Sequence, residues 1–242
     1  MILEICANSF ESAFAAQQAG ADRIELCTEL SVGGLTPSFG LLEKVLVELT
    51  IPVHVLIRPR SGNFTYSEAE IDIMLRDIET CKELGCDGIV SGGLTHAFEI
   101  DLQVTKLLKD TSGAMEFTFH RAFDWVKNPS KALAQLIELN VTRVLSSGQQ
   151  TSALEGFALL KSLQNNAHNN IQIMPGGGIN AANCQQFKDA GFKMLHCSAT
   201  QKTQILKKLP NVSMHSTALF QEGILATSSE ETIRQIRAIL KK

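Results

Sequence analysis

Ile2-Leu-Glu-Ile-Cys6 and Arg23-Ile-Glu-Leu-Cys27 decide how this chain is read. Each is a short apolar run of strand length, and each carries two residues that a buried strand should avoid. Successive side chains on a strand point to opposite faces. Leu3 and Ile5 therefore face one way, and Glu4 and Cys6 the other. In the second run Ile24 and Leu26 oppose Glu25 and Cys27. Two early strands thus share one device, Glu-x-Cys on a single face. The simplest arrangement is a closed parallel barrel, with apolar strand faces against helices and polar faces converging at one mouth.

The rest of the chain repeats the alternation of strand and helix. Strand-like runs follow at Val53–Ile57, Gly88–Ser91, Glu116–His120, Arg143–Ser147, Ile171–Met174 and Met194–Cys197, each succeeded by a helical pattern. Helix starts are marked by Asn8 or Ser9, by Ser38, by Ser67 with Glu70 three residues on, and by Asn128-Pro129. A last helix is predicted over Ser229 to Leu240, while Thr203 to Thr217 shows no clear period. Eight such units predict a (β/α)8 TIM barrel occupying residues 1–242 as one domain. A doubly wound sheet would carry a glycine-rich turn after the first strand, and Cys6-Ala-Asn-Ser9 has no glycine.

Composition narrows the function classes. Hydrophobic residues make up 44% and charged residues 19% of the 242, which suits a globular protein with a sizeable core. A net charge of −3 leaves no electrostatic footprint for nucleic acid or a membrane surface. No apolar run reaches the length needed to span a bilayer, and the N-terminus lacks a basic leader. Six cysteines in such a chain read as reduced thiols, so the cytoplasm is the expected location.

In barrels of this kind the site lies at the C-terminal ends of the strands. The alternation places there Glu4 and Cys6, Glu25 and Cys27, His54 and Arg58 with Arg60 beyond, Thr118 and His120 with Arg121 and Asp124 beyond, and His196 with Ser198. Burying so many ionisable groups without a use for them costs several kcal/mol. One reading is a self-satisfied polar network that only fixes the barrel. Two chemistries offer another. Cys6 and Cys27, on neighbouring strands, present thiols to a soft metal such as Cu(I). Alternatively Gly176-Gly177-Gly178 and Ser198 cradle the anionic group of a small phosphorylated or carboxylated metabolite, with Arg58 and Arg60 neutralising it. Glu4, Glu25, His120 and His196 are then the acid–base candidates of a TIM-barrel enzyme. No lysine ends a strand, which argues against a Schiff-base mechanism. Trp125 and Phe123 are placed as a lid or wall over the mouth, with a core position the alternative for Phe123.

Seven blocks resemble the CutC family: Glu4-Ile-Cys6, Gly20-Ala-Asp-Arg-Ile-Glu-Leu-Cys27, Gly33-Gly-Leu-Thr-Pro-Ser38, Ile57-Arg-Pro-Arg60, Thr118-Phe-His-Arg-Ala-Phe-Asp124, Val144-Leu-Ser-Ser-Gly148 and His196-Cys-Ser-Ala199. The resemblance runs in register from residue 2 to about 200. It implies a TIM barrel and a cytoplasmic copper homeostasis protein. The family's proposed Cu(I) thiol pair falls on Cys6 and Cys27. The family has no established reaction. Copper ion or a small anionic metabolite is the expected partner, and a homo-oligomer is compatible with the fold. The turn Leu94-Thr-His-Ala-Phe98 departs from the family's acidic pattern, and residues 203–228 match it poorly.

Overall fold

The structure, a computed structural model, describes residues 1–212 and 223–241. Eight short parallel strands form one sheet: β1 (Ile2–Ala7), β2 (Arg23–Leu26), β3 (Val53–Leu56), β4 (Gly88–Ser91), β5 (Glu116–Phe119), β6 (Arg143–Ser146), β7 (Gln172–Pro175) and β8 (Met194–Cys197). Each pairs with its sequence neighbour except that β8 pairs with β1. A single bridge between Gly176 and His196 joins the remaining edge, so the sheet curls into a nearly closed barrel. The predicted strands are all present, with ends shifted by one residue at most.

Helices follow the strands around the outside: α1 (Phe10–Gln18), α2 (Phe39–Glu48), α3 (Glu68–Glu83), α4 (Leu102–Thr111), α5 (Pro129–Glu138), α6 (Phe157–Asn166), α7 (Cys184–Asp189) and α8 (Glu230–Lys241). Their starts are chemically defined. Ser9, Ser38, Ser67, Asp101 and Asn128 each accept a backbone N–H of the first turn, and Ser67 with Glu70 closes a reciprocal capping box. Leu3, Ile5, Ile24, Leu26, Val53 and Val55 turn outward and are buried against these helices. Each such side chain contributes about 1.5–3 kcal/mol by leaving water.

The opposite strand faces fill the barrel. Two small apolar clusters lie inside, Cys6, Cys27, Leu56 and Val90 on one side, and Leu145, Met174 and Met194 on the other. Between and below them sit buried charges. One element was absent from the sequence expectation. β9 (Thr200–Gln204) and β10 (Ile224–Ser228) pair as an antiparallel ribbon between β8 and α8. Part of the hard-to-read tail, residues 213–222, lies outside the described residues. Among the described residues no helix is long and apolar enough to cross a membrane.

Candidate functional site

Parallel register sets which polar side chains meet. Cys6 stands opposite Glu25 across β1 and β2, while Glu4 stands opposite Arg23 on one side and His196 on the other. Glu4, fully buried, accepts from Arg23 Nε at 2.5 Å and pairs with His196 Nδ1 at 2.8 Å. His196 Nδ1 also lies 4.0 Å from Glu25 Oε2. Cys6 Sγ is 3.7 Å from Glu25 Oε1 and 3.6 Å from Cys27 Sγ. One ligand atom from each of Cys6, Glu25 and His196 falls within 4.8 Å of the others.

A second polar layer lies nearer the N-terminal ends of the strands. Arg143 donates to Thr118 Oγ1 at 3.0 Å and to Glu116, and His54 Nε2 stands 3.3 Å from the same Glu116 carboxylate. Arg23 Nη1 reaches that carboxylate at 3.6 Å. A continuous chain of charges therefore runs from Glu116, whose side chain is 47% exposed, up to the thiols. His54 belongs to this lower layer and not to the mouth. Arg23, Glu116 and Arg143 were missing from the sequence inventory. They share the parity of Glu25, Thr118 and Leu145, so the same alternation would have found them.

Electrostatics divide the groups into charged and neutral. Burial works to raise the Glu4 pKa, but the His196 hydrogen bond and the Arg23 charge outweigh it and hold the carboxyl well below the usual range. His196 shows the converse: burial favours the neutral ring, yet Glu25, Cys6 and Glu4 together raise its pKa well above the ordinary value. Glu4 and His196 are thus an ion pair. Glu25 is pushed up to about 7, chiefly by burial. The Cys6 thiol is pushed up by its contact with Cys27 and by burial, and it is protonated at neutral pH. Glu116, fixed by His54 and Arg143, is held at about 2.

Above the thiols opens a cavity of about 470 Å³, lined among others by Cys6, Glu25, Arg58, Phe64, His120, Arg121, Trp125, Gly177, Gly178, His196 and Ser198. The acid–base candidates separate here: Glu25, His120 and His196 reach the cavity, whereas Glu4 lies beneath it. Cys27 is fully buried under the wall beside Cys6. Trp125 is half exposed and stands edge-on to Phe64, as a wall; Phe123 is in the core.

The anion candidates separate too. Arg58 lines the cavity, but its Nη atoms already donate to the carbonyls of Val32, Gly34 and Gly62 at 2.8–2.9 Å, tying two loops together. Arg60 lies outside the cavity, paired with Glu70 and bonded to Thr65 O. Gly176 belongs to the barrel wall. Its N–H donates to Ser146 O at 2.9 Å, and an added Cβ would meet Leu145 at 2.4 Å. Gly177 and Gly178 have left-handed φ values of +97° and +76° and do reach the cavity, as does Ser198. The cation beside them is Arg121, held by Asp124 at 2.8 Å and by Ser147 Oγ at 2.8 Å. Sequence reading placed Arg121 at the rim without assigning it an anion. The signal was its position one residue after the strand-end histidine.

Comparison with known proteins agrees with this architecture. The family model described as CutC family matches residues 1–201. A family protein CutC of Glaesserella parasuis serovar 5 is 42% identical over 238 residues, covering 98% of this chain and 97% of its own. The human copper homeostasis protein cutC homolog is 43% identical, covering 99% of this chain and 89% of its own. A crystal structure of CutC from Streptococcus agalactiae superposes with a TM-score of 0.77 at 36% identity, over 82% of this chain and 98% of that one. A 4-hydroxy-2-oxoglutarate aldolase structure, 14% identical with a TM-score of 0.56 over 98% of this chain and 94% of that one, shares the fold alone. The paired Glu-x-Cys strands, the barrel they open and these relatives lead to one conclusion: the chain belongs to the CutC family.

Proposed function

We propose that this chain handles copper in the cytoplasm by binding Cu(I) as cargo between Cys6 and Cys27, with His196, which lies beside Cys6 and Glu25, turning in as a third ligand. The observation that carries the reading is the 3.6 Å separation of the two sulfurs. Two thiolates at about 2.3 Å from one three-coordinate metal lie about 4.0 Å apart, so the sulfurs need to part by only about 0.4 Å. The donor chemistry agrees, because thiolates select Cu(I) and imidazole also suits copper. All six cysteines are free and buried, which supports a reducing compartment.

The surrounding charges set the conditions. Metal binding must displace the proton of Cys6, and His196 must release its own proton to ligate. Both groups hold those protons above their ordinary range, so affinity rises with pH. Glu25, close to Cys6, is placed to accept a displaced proton.

An anaerobic Cu(I) titration against a competing chelator tests the reading. Wild type is expected to bind one Cu(I) well below micromolar, and Cys6→Ser/Cys27→Ser to lose that binding. Stoichiometric binding retained in the double variant would overturn it.

A further inference from the structure

A copper ion held between two thiols accounts for the floor of the mouth and for little above it. The cavity of about 470 Å³ falls within the size range of small-molecule sites, whereas one water-sized occupant takes about 30 Å³. Its upper wall carries polar groups that the thiol site does not use.

The first is His120. The residue is 5% exposed, and its ring packs on Phe64 with centroids 4.8 Å apart. Nδ1 accepts the Ala122 N–H at 3.4 Å, and a nitrogen that accepts carries no proton. The ring proton is therefore on Nε2. That atom is buried, belongs to a cavity-lining residue, and has no hydrogen-bond partner among the described residues. Burial beside the Arg58 charge keeps the ring neutral, with its pKa lowered to about 3. An unpartnered buried donor is costly, and such groups are normally satisfied. An occupant of the cavity that brought an acceptor oxygen to this edge of the ring would satisfy it.

The second is Arg121. Asp124 and Ser147 occupy its Nε and Nη2, which fixes the plane of the guanidinium. Nη1 has no hydrogen bond among the described residues and lies 3.4 Å from the position a Cβ on Gly177 would take. The absence of a side chain at Gly177 thus leaves the approach to a positioned cation open. Gly178 and Ser198 line the same side.

We propose that the barrel mouth is a binding site for a small organic oxyanion, a carboxylate or a phosphate, that also bears a carbonyl oxygen. Arg121 with Gly177 holds the anionic group, and His120 Nε2–H donates to the carbonyl. Phe64 and Trp125, which line the cavity, wall the carbon skeleton. Cys6 and His196 line the floor of the same cavity, but the site uses neither as a binding group, so it stands or falls separately from the copper reading.

Trp125 is the only tryptophan of the chain and lines the cavity, so its emission reports occupancy. Copper-free protein is titrated with two matched pairs of probes, pyruvate against acetate and dihydroxyacetone phosphate against inorganic phosphate. The pair that saturates the signal identifies the anionic group. Within it, the carbonyl-bearing member is expected to bind more tightly. Arg121→Gln is expected to weaken both members about tenfold or more, since a charge-assisted bond is lost. His120→Phe keeps the ring packing and is expected to weaken only the carbonyl-bearing member, about threefold to tenfold. In wild type, the His120 Nε2–H resonance should shift with that member and not with its partner. Cys6→Ser/Cys27→Ser should leave these affinities unchanged. No saturable response to any probe at about 10 mM, which corresponds to a ceiling of only a few kcal/mol of affinity, would overturn the proposal. So would equal weakening of both members by His120→Phe, or loss of binding in the thiol variant.

Discussion

Replacing Glu4 by Gln tests whether the barrel interior is held by charge or only filled. Glu4 has no exposed side-chain surface, and its two oxygens meet Arg23 at 2.5 Å and His196 at 2.8 Å. Gln keeps the shape and still offers Arg23 a carbonyl oxygen. It removes the counter-charge of both cations and turns an amide N–H₂ toward His196. Removing one partner of a buried pair costs about 3–5 kcal/mol, because the remaining charge is left uncompensated. Here the lower figure applies, since Glu116 still lies 3.6 Å from Arg23 and Glu25 lies 4.0 Å from His196. For a chain of this size about 3 kcal/mol lowers Tm by roughly 6–12 °C.

Differential scanning calorimetry of the variant, alongside Glu48→Gln, makes the measurement. Glu48 pairs with Lys44 on the surface, both side chains about half exposed, and its loss should cost no more than about 0.5 kcal/mol. The pH profile gives the sign. The folded Glu4 pKa lies below its ordinary 4.5, so its contribution is present above that value and fades as pH falls toward the depressed one. The folded His196 pKa lies above its ordinary 6.5, so its contribution is complete below that value and fades as pH rises through the elevated one. The stability gap between wild type and Glu4→Gln should therefore be widest from about pH 5 to 6.5 and narrow at both ends. A Tm loss no larger than that of Glu48→Gln, or a gap independent of pH, would show that the ion pair does not hold the barrel.

Two further substitutions examine the loops that frame the mouth. Arg58→Ala strands the carbonyls of Val32, Gly34 and Gly62 and is expected to cost about 2 kcal/mol or more, with faster proteolytic cleavage between residues 29 and 37; unchanged cleavage kinetics would argue that the loop holds itself. Gly34 has φ +87°, and an added Cβ would sit 2.6 Å from Leu56 and 3.6 Å from Cys27 Sγ. Gly34→Ala should therefore destabilise by about 1–3 kcal/mol in urea unfolding and weaken Cu(I) binding, whereas an unchanged urea midpoint would contradict the packing described.

The strands were legible because burial on both faces leaves a periodic trace. Leu3 and Ile5 against Glu4 and Cys6 is a local pattern, readable without knowing any partner. The thiol pair, Glu25 and His196 were legible for the same reason, since strand ends of equal parity must converge in a barrel. The positions of Arg60 and Gly176 were not, nor were the bonds of Arg58, which lines the cavity as expected but spends its donors on loop carbonyls. The partners of a guanidinium are decided by loops far away in sequence, and those of Arg58 are carbonyls 4 to 26 residues distant. The ribbon of β9 and β10 escaped notice because Thr200–Gln204 is polar and exposed throughout, with no buried face to print an alternation.

The sequence by itself determined the architecture and the interior-facing residues, because the period of a strand is a property of the backbone alone. It also carried the family likeness, confirmed across residues 1–201. Only the tertiary structure decided which interior atoms touch. The β1–β2 register sets Cys6 opposite Glu25, yet the Cys6 and Cys27 sulfurs still come within 3.6 Å. Arg121, not Arg60, faces the glycines, and His120 keeps one nitrogen without a partner. Such contacts depend on hydrogen-bond register and rotamers fixed jointly by segments distant in the chain, and no local pattern encodes them.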